Sequence, residues 1–346
     1  MDKKMNAVGI SDRHMKKNTL TVIMVAVLYA VVSVMVYTGT ASRQLANMLI
    51  SLSCYIVLAV SLNLVVGLLG ELSLGHAGFM SVGLFSGCLL SLYLIRNLPG
   101  LPIGVRLPVC MIFGGLLAAA AGFVVGLPAL RLNGDYLAIV TLACGEIIKS
   151  IINNLNITGG ALGLDTGEIY SNTKTLLPFA IGLVFFTILI MMNLKKSRYG
   201  RAIMAIRDNR IAAEACGINV TYFKLAVFMI GAFFAGAAGT LYGHCFANIK
   251  AGTFDYNMSI EILVIVVLGG MGSVRGSIIA AIVLKALPEI LRGFEDYRML
   301  VYSVVLIVIM LLNASPRFNE LKRELTIKNL IRVLREKKKA GEGSEA

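Results

Sequence analysis

The chain has few of the residues on which soluble domains and catalytic centres depend. Only 15% of its 346 residues are charged, only three are histidine, and none is tryptophan. A soluble domain carries roughly a quarter charged residues, whereas 57% of this chain is hydrophobic and its mean hydropathy is +0.81. These values exclude an ordinary soluble protein. They predict an all-α, polytopic membrane bundle, because helices satisfy their own backbone groups in lipid.

Motifs for enzyme chemistry are also missing. The six cysteines stand singly, without a CxxC pair, so neither a disulfide framework nor a zinc site is indicated. The sequence has no GxxxxGK(S/T) loop to hold ATP, no HExxH motif and no Ser/His/Asp grouping. We therefore expect no catalytic residue, no metal and no cofactor, which leaves transport as the default role.

The chain does contain a series of apolar runs that predicts about ten transmembrane helices. The first run is longer than the ~7–15 residues of a signal-peptide core, which favours a retained helix, with a cleaved signal peptide as the alternative. Two later runs are shorter than the ~20 residues of a usual span. The predicted spans are residues 19–37, 45–66, 72–95, 107–130, 134–152, 175–194, 222–244, 258–268, 277–291 and 297–313.

Positive charge is concentrated in a few regions, which predicts the orientation of the chain. The net charge is +13, and lysines and arginines cluster in residues 1–18, 195–224 and 314–346. By the positive-inside rule these regions lie in the cytosol, and residues 19–313 form the transmembrane domain. An apolar i, i+3, i+4, i+7 pattern in the C-terminal tail predicts an amphipathic helix on the inner membrane surface, with a solvated tail as the alternative.

A basic segment, residues 195–220, interrupts the apolar chain between the sixth and seventh predicted spans. It is alanine-rich and has no proline, and Asp208 or Asn209 could cap a short second helix that Gly217 ends. A helical cytosolic loop of this kind is suited to docking a cytosolic partner. The alternative is an ordinary charged loop that only obeys the positive-inside rule.

Polar residues near the ends of predicted spans are candidates for a transport pathway, because an isolated ionisable group in a membrane is costly. Glu71 and His76 flank the start of the third span, and a solvated Glu71 at the cytosolic rim is the alternative. Glu146 and Lys149 lie at i and i+3 in the fifth span, so they share a helix face and can pair. That pair is either part of a pathway or a neutralised pair at the outer end of the span.

Two glycine-rich connections, residues 67–79 and 267–279, join predicted spans in the two halves of the chain. The second contains GGMGSVRG, which superficially resembles a nucleotide-binding loop but is flanked by apolar spans and not by a strand and a helix. We interpret it as a tight cytosolic turn or a broken-helix element. The two connections are either an internal pseudo-repeat, as in many transporters, or share only their composition.

Four long blocks are the most specific feature of the sequence. They are SLNLVVGLLGELSLGHAGF (61–79), RLNGDYLAIVTLACGEIIKSIINN with ITGGALGL (131–164), the block 197–243 that begins SRYGRAIMAIRDNR, and SIEILVIVVLGGMGSVRGSIIAA (259–281). In this order they resemble the permease subunit of branched-chain amino acid ABC importers, the LivM type. The related LivH type lacks the RLxGDYxAIVTLAxGEI block. One departure is Glu71, where the family usually has glutamine.

This resemblance implies a heterodimer with a LivH-like permease, two cytosolic ATP-binding subunits and an external binding protein that delivers leucine, isoleucine or valine. It also implies ATP-driven alternating access in the plasma membrane of a prokaryote, with both termini in the cytosol. In the family, the segment matching residues 197–217 engages the ATPase. The coupling candidates in this chain are therefore Arg201, Arg207, Asp208, Arg210, Glu214 and Gly217.

The expected pathway residues are Asn63, Glu71, His76, Thr141 and Glu146. Three other interpretations stay open at this point. They are a sugar or nucleoside permease of the wider superfamily, a gradient-driven carrier, and a structural membrane scaffold. Uptake that survives ATP depletion would indicate a carrier, and a scaffold would move no substrate.

Overall fold

The computed structural model describes residue 29 and residues 43–98, 100–132, 134–290 and 298–314. These residues are mostly helical, as their long apolar runs predict. In chain order the helices and strands are α1 (Arg43–Asn63), α2 (His76–Asn97), α3 (Ile103–Ala129), α4 (Asp135–Asn154), β1 (Leu164–Asp165), α5 (Thr173–Lys196), α6 (Arg198–Asp208), α7 (Arg210–Ala215), α8 (Val220–Gly243), β2 (Asn248–Ile249), α9 (Tyr256–Gly269), α10 (Val274–Ile290) and α11 (Arg298–Ala314).

Six helices in the described part of the chain are long and apolar enough to cross a membrane, which confirms the all-α polytopic class. The total of about ten stays a prediction. Apart from Tyr29, the run 19–37 lies outside the described residues, and α4, α10 and α11 form where expected but are not among the six. The six candidate spans are Ala46–Leu69, His76–Asn97, Ile103–Ala129, Thr173–Lys196, Val220–Gly243 and Ala251–Gly269.

The connection between α1 and α2 differs from the prediction. α1 continues as a π-helix over Leu64–Leu69, and Gly70 then turns the chain with a φ of +82°. Glycine suits this left-handed backbone because it has no Cβ to clash. Residues 71–75 have no helical structure, so α2 begins at His76 and not at Leu72.

Helix α8 packs closely against α2 and α3 through small residues. Thr240 Oγ1 donates to the carbonyl oxygen of Gly83 at 2.9 Å. A Cβ built on Gly236 would lie only 2.8 Å from the carbonyl oxygen of Gly114. The backbones of these three helices therefore approach one another closely. The glycine and alanine content of the seventh predicted span indicates such close packing.

We expect Gly239→Ala to destabilise the protein by about 1–3 kcal/mol, because the new methyl group would overlap the carbonyl oxygen of Met80. Gly182→Ala is a matched control, since a Cβ at Gly182 would have no neighbour within 4 Å. The melting temperature of the purified protein in detergent measures both. Equal melting temperatures for the two variants would contradict the packing described here.

Two short strands tie together the connection that follows α4 and the connection that follows α8. β1 pairs with β2 in antiparallel fashion, with Leu164 opposite Ile249. The N–H of Thr166 donates to the carbonyl oxygen of Ala247 at 2.9 Å. The connection between α4 and α5 is therefore fixed to the connection between α8 and α9.

The chain divides into two compact units, Met1–Val283 and Leu284–Ala346. The described part of the second unit comprises the last turns of α10 and helix α11. Leu300, Val304 and Leu311 of α11 are exposed and share one face of the helix. The predicted N-terminal tail, and the tail beyond Ala314 with its amphipathic pattern, lie outside the described residues.

Candidate functional site

Residues 195–220 fold into short helices with the caps that the sequence predicts. Asn209 Oδ1 accepts the N–H of Ala212 at 3.0 Å and so caps the start of α7. Gly217 follows α7 with a φ of +81°, and its N–H donates to the carbonyl oxygen of Glu214 at 2.9 Å. The interruption in the apolar chain is therefore an ordered helical segment.

The predicted coupling charges in this segment are largely paired with one another. Arg207 Nη2 lies 3.0 Å from Asp208 Oδ1, and Arg210 Nε lies 3.1 Å from Glu214 Oε1. The four side chains are 42–68% exposed. Ion pairs this exposed contribute little to stability. Because the four side chains are exposed, their charges are accessible to a partner.

Arg207 also links the segment to the end of the first long helix. Its Nη1 donates to the carbonyl oxygen of Gly67, within the π-helix, at 3.1 Å. Its aliphatic stem covers Gly70, where a Cβ would lie 2.5 Å from Arg207 Cγ. Arg201, by contrast, donates to the backbone carbonyl of Lys196 at 3.2 Å, within its own segment. Among the predicted coupling residues, Arg207 thus contacts the transmembrane domain directly.

The two glycine-rich connections meet beside this link. Asn63 is 4% exposed; its Oδ1 accepts the N–H of Gly272 at 2.7 Å, and its Nδ2 donates to Ser277 Oγ at 2.8 Å. Lys195 Nζ, near the end of α5, donates to the carbonyl oxygen of Gly272 at 2.6 Å. The GGMGSVRG stretch forms a tight turn, one of the two expected alternatives, and Asn63 and Lys195 both hold it.

Glu71 is largely buried and is paired with Lys224, so it is not simply solvated. Its Oε1 accepts a hydrogen bond from Lys224 Nζ of α8, and the two side chains are 12% and 5% exposed. Its Oε2 is buried and has no hydrogen-bond partner among the described residues. Burial raises the pKa of the Glu71 carboxyl, although the Lys224 ammonium acts in the opposite direction.

His76 and Thr141 hold the non-helical residues 71–75 inside the bundle. His76 Nε2 is hydrogen-bonded to Ser61 Oγ at 2.8 Å, and Thr141 Oγ1 accepts the N–H of Leu74 at 3.0 Å. Both side chains are almost completely buried. Because Ser61 belongs to α1 itself, α2 starts beside α1 and not beyond its end.

Glu146 pairs with Lys149, as their spacing predicts. Its Oε1 also accepts the N–H of Tyr256, the first residue of α9, at 2.9 Å. Asp255 Oδ1 accepts the N–H of Met258 in the same turn at 3.1 Å. Two carboxylates of the chain therefore accept hydrogen bonds from the first-turn N–H groups of α9. The pathway role of Glu146 stays a prediction.

Glu261 is a functional candidate that the sequence analysis missed. It lies in α9, inside the apolar run SIEILVIVV, and is hydrogen-bonded to Tyr55 of α1. Tyr242 lies close to this pair and packs edge-on against Phe254, with ring centroids 6.4 Å apart. The sequence did contain a signal for this residue, namely a single carboxylate in an apolar run. Ionisable groups inside membrane spans usually have a functional role.

An apolar cleft of about 280 Å³ lies between α3, α5 and α8. Its walls include Pro108, Phe179 and Phe233, and every lining residue is Pro, Met, Ile, Phe, Gly, Leu or Ala. Such walls offer no side-chain hydrogen bond to the charged groups of an amino acid, whose burial without partners is costly. The described residues also contain no group of three or more His, Cys, Asp or Glu side chains that could hold a metal ion.

These features define an α-helical, multi-pass membrane protein in which an ordered polar segment contacts a broken connection between two long helices. A family model described as the permease component of branched-chain amino acid transport systems matches residues 44–312. The chain belongs to this family of permeases, and it is a multi-pass inner-membrane protein.

Curated relatives agree with the family. A LivM permease of the high-affinity branched-chain amino acid transport system of Escherichia coli is 34% identical, covering 90% of this chain and 78% of that protein. A probable LivM permease of Methanocaldococcus jannaschii is 28% identical, covering 69% and 79%. The LivH permease of Escherichia coli is 24% identical, covering 78% and 92%. No solved structure matched the chain. The LivM-type resemblance of the four sequence blocks is confirmed.

Proposed function

We propose that this chain is the LivM-type permease subunit of an ATP-driven importer for leucine, isoleucine and valine. Family membership and the names of the LivM relatives support this substrate class. The partners are a LivH-like permease, two cytosolic ATP-binding subunits and an external amino-acid-binding protein. ATP is hydrolysed on the separate subunits, since this chain has no P-loop of its own.

The observation that carries the mechanism is the contact between Arg207 and the carbonyl oxygen of Gly67. Through it, a movement of α6 driven by the ATP-binding subunits acts on the end of α1. A second attachment runs from Lys195 to Gly272, in the turn before α10. The segment 195–220 is thus fastened to both glycine-rich connections, which suits a part that converts ATP-driven movement into alternating access.

In this proposal the segment 195–220 and both termini, including residues 1–18 and 314–346, lie in the cytosol. Arg207 transmits movement to the transmembrane domain, and Gly217 ends the second short helix. The exposed charges meet the ATP-binding subunit. These charges are Arg201, Asp208, Arg210 and Glu214.

The pathway residues in this proposal surround the broken connection. His76 and Thr141 position residues 71–75, Asn63 holds the opposing turn, and Glu71 joins the connection to α8. Glu146 fixes the start of α9, which packs against α2. A rearrangement of this region would open the pathway to one side of the membrane at a time.

Reconstitution of the complete complex in proteoliposomes tests the proposal. Uptake of radiolabelled leucine should require ATP and the loaded binding protein, and an uncoupler should leave it unchanged. Uptake that continues without ATP and collapses with an uncoupler would show a gradient-driven carrier instead. Transport of a sugar or nucleoside in place of leucine would assign the chain to another branch of the superfamily.

A further inference from the structure

Helix α4 is poorly covered by the rest of the chain. Only four of its 20 residues are buried, and these four fall on one side of the helix: Leu137, Ala138, Thr141 and Ile152. On the opposite side Ile139 is 62% exposed and Ile147 is 56% exposed. A whole side of α4 is therefore left open by the part of the chain that the structure describes.

Polar and charged groups border or lie on this open side of α4. Ser150 is exposed, and the side chains of Glu146 and Lys149 are 32% and 25% exposed. Glu146 lies eight residues before the end of α4 at Asn154, which is ~12 Å along the helix axis. In the proposed topology α4 crosses the membrane, so Glu146 lies well below the membrane surface.

Helix α9 extends the open side of α4. It packs against α2 and α4, and its first N–H, that of Tyr256, donates to Glu146. Ile260 of α9 is 40% exposed, and the neighbouring Glu261 is half-buried. The two open sides form one surface, the α4–α9 face, which comprises Ile139, Ala143, Glu146, Ile147, Ser150, Ile260 and Glu261.

Helix α3 shows how a lipid-facing side of this chain differs. Between Leu107 and Ala129 it has no charged residue, and all its exposed residues there are apolar, Leu116 with 57% exposure among them. Ionisable groups in membrane spans almost always face protein or a water-filled cavity, because contact with lipid is costly. The charges of the α4–α9 face therefore exclude lipid as its neighbour, whereas lipid suits α3.

A protein wall from elsewhere must then lie opposite the α4–α9 face. Even where water fills a space beside the charges, protein has to keep lipid out of that space. Tyr29 of the first predicted span does not lie there, because its hydroxyl is hydrogen-bonded to Ser53 Oγ at 2.8 Å, whereas Glu261 is hydrogen-bonded to Tyr55. Residues 53 and 55 are about 200° apart around α1, so Tyr29 and α9 lie on opposite sides of that helix.

The α4–α9 face is large enough for a stable contact between two proteins. α4 has 20 residues and α9 has 14, which at ~1.5 Å per residue gives lengths of ~30 Å and ~21 Å. With a width of ~10 Å for each helix the face covers about 500 Å², or about 1,000 Å² counted on both partners. Specific protein interfaces begin at about this size.

We propose that the α4–α9 face is the surface through which this chain binds the second permease of the importer. The partner surface that fits it is a membrane-spanning side with apolar side chains opposite Ile139, Ile147 and Ile260. It also carries polar groups at the level of Glu146 and Glu261, because buried charged groups need hydrogen-bond partners. The inference rests on the proposed function, because it takes this chain to work as one of two permeases.

Site-specific photo-crosslinking in the complete complex, reconstituted in lipid, tests this surface. Benzoylphenylalanine is introduced at Ile147 or Ile260, and at Leu116 of α3 as a control with the same exposure as Ile147. We expect a covalent product with the second permease from both Ile147 and Ile260, and lipid adducts alone from Leu116. Mass spectrometry identifies the products. Lipid adducts alone from Ile147 and Ile260, products within this chain, or products between two copies of it would overturn the proposal.

A bulky side chain on the face should block assembly. Ala143→Trp places an indole on the open side of α4, and Ala120→Trp is the matched control, since Ala120 is an exposed alanine of α3. Recovery of the second permease with this chain after detergent extraction should fall about fivefold or more for Ala143→Trp and stay unchanged for Ala120→Trp. The melting temperature of each variant purified alone should match that of the wild type. Equal recovery for both variants would contradict the proposed interface.

The two experiments also separate the interface from the proposed function. If the purified wild-type complex contains no second permease chain, the proposed function itself is wrong. If it contains one, and that chain is crosslinked from Leu116 but not from Ile147 or Ile260, only the interface is wrong.

Discussion

Replacing Lys224 with alanine should destabilise the permease by about 3–5 kcal/mol, because Glu71 would then be a buried carboxylate without its ion-pair partner. The two side chains are only 5% and 12% exposed, so water replaces little of the role of the ammonium. Melting temperatures of the purified protein in detergent measure the effect. Glu71→Gln should also destabilise, since it leaves the Lys224 ammonium buried without a counter-charge.

The double variant Glu71→Gln/Lys224→Met is the matched control, because it removes both charges and keeps two side chains of similar length. It should be more stable than either single variant, since buried ion pairs replaced as a whole are often neutral in effect. A double variant whose loss equals the sum of the two single losses would show that the residues do not act as a pair.

The pH dependence separates this explanation from a packing defect. Burial holds the pKa of the Glu71 carboxyl above its ordinary value of 4.5, and losing Lys224 removes the main opposing effect. A raised pKa means that the folded protein binds a proton more readily than the unfolded chain. Stability from this group is then greatest below pH 4.5 and is lost as pH rises through the folded pKa. The deficit of Lys224→Ala should therefore be smaller at pH 5 than at pH 8, whereas a packing defect would be equal at both.

Replacing Arg207 with alanine should reduce ATP-driven leucine uptake by about tenfold or more, while the ATP-binding subunits still assemble with the permease. The variant loses the charged hydrogen bond to the Gly67 carbonyl, which is worth about 1.5–3 kcal/mol, and a tenfold rate change corresponds to about 1.4 kcal/mol. It also uncovers Gly70, which the arginine stem shields. ATP hydrolysis should continue but should no longer respond to the loaded binding protein.

Arg198→Ala is the control for this coupling experiment, because Arg198 is an exposed arginine of the same helix with no hydrogen bond to the transmembrane domain among the described residues. It should transport leucine at close to the wild-type rate. Charge reversal at Arg207 that leaves both subunit assembly and uptake unchanged would show that the link to Gly67 carries no movement.

The sequence was sufficient for features that depend on neighbouring residues. Asn209 and Gly217 are local cap signals, and the structure uses both for α7. The i, i+3 spacing of Glu146 and Lys149 likewise predicted a pair that forms within one helix turn. Apolar runs gave the helices, because in a membrane chain burial and helix formation follow from the same residues.

Features that join distant parts of the chain could not be predicted in this way. Glu71 and Lys224 are 153 residues apart, and Asn63 and Gly272 are 209 apart, so only the packed helices bring them together. The late start of α2 was hidden for another reason: Leu72 and Leu74 are apolar and continue the hydropathy pattern through a stretch that has no helix.

The antiparallel pairing of β1 with β2 restricts how the permease can move. It joins the connection between α4 and α5 to the connection between α8 and α9. The helix ends next to these two connections cannot spread apart unless the strands unpair. The freedom for a large displacement therefore lies at the opposite ends of α5 and α9, where Lys195 of α5 holds the turn that follows α9.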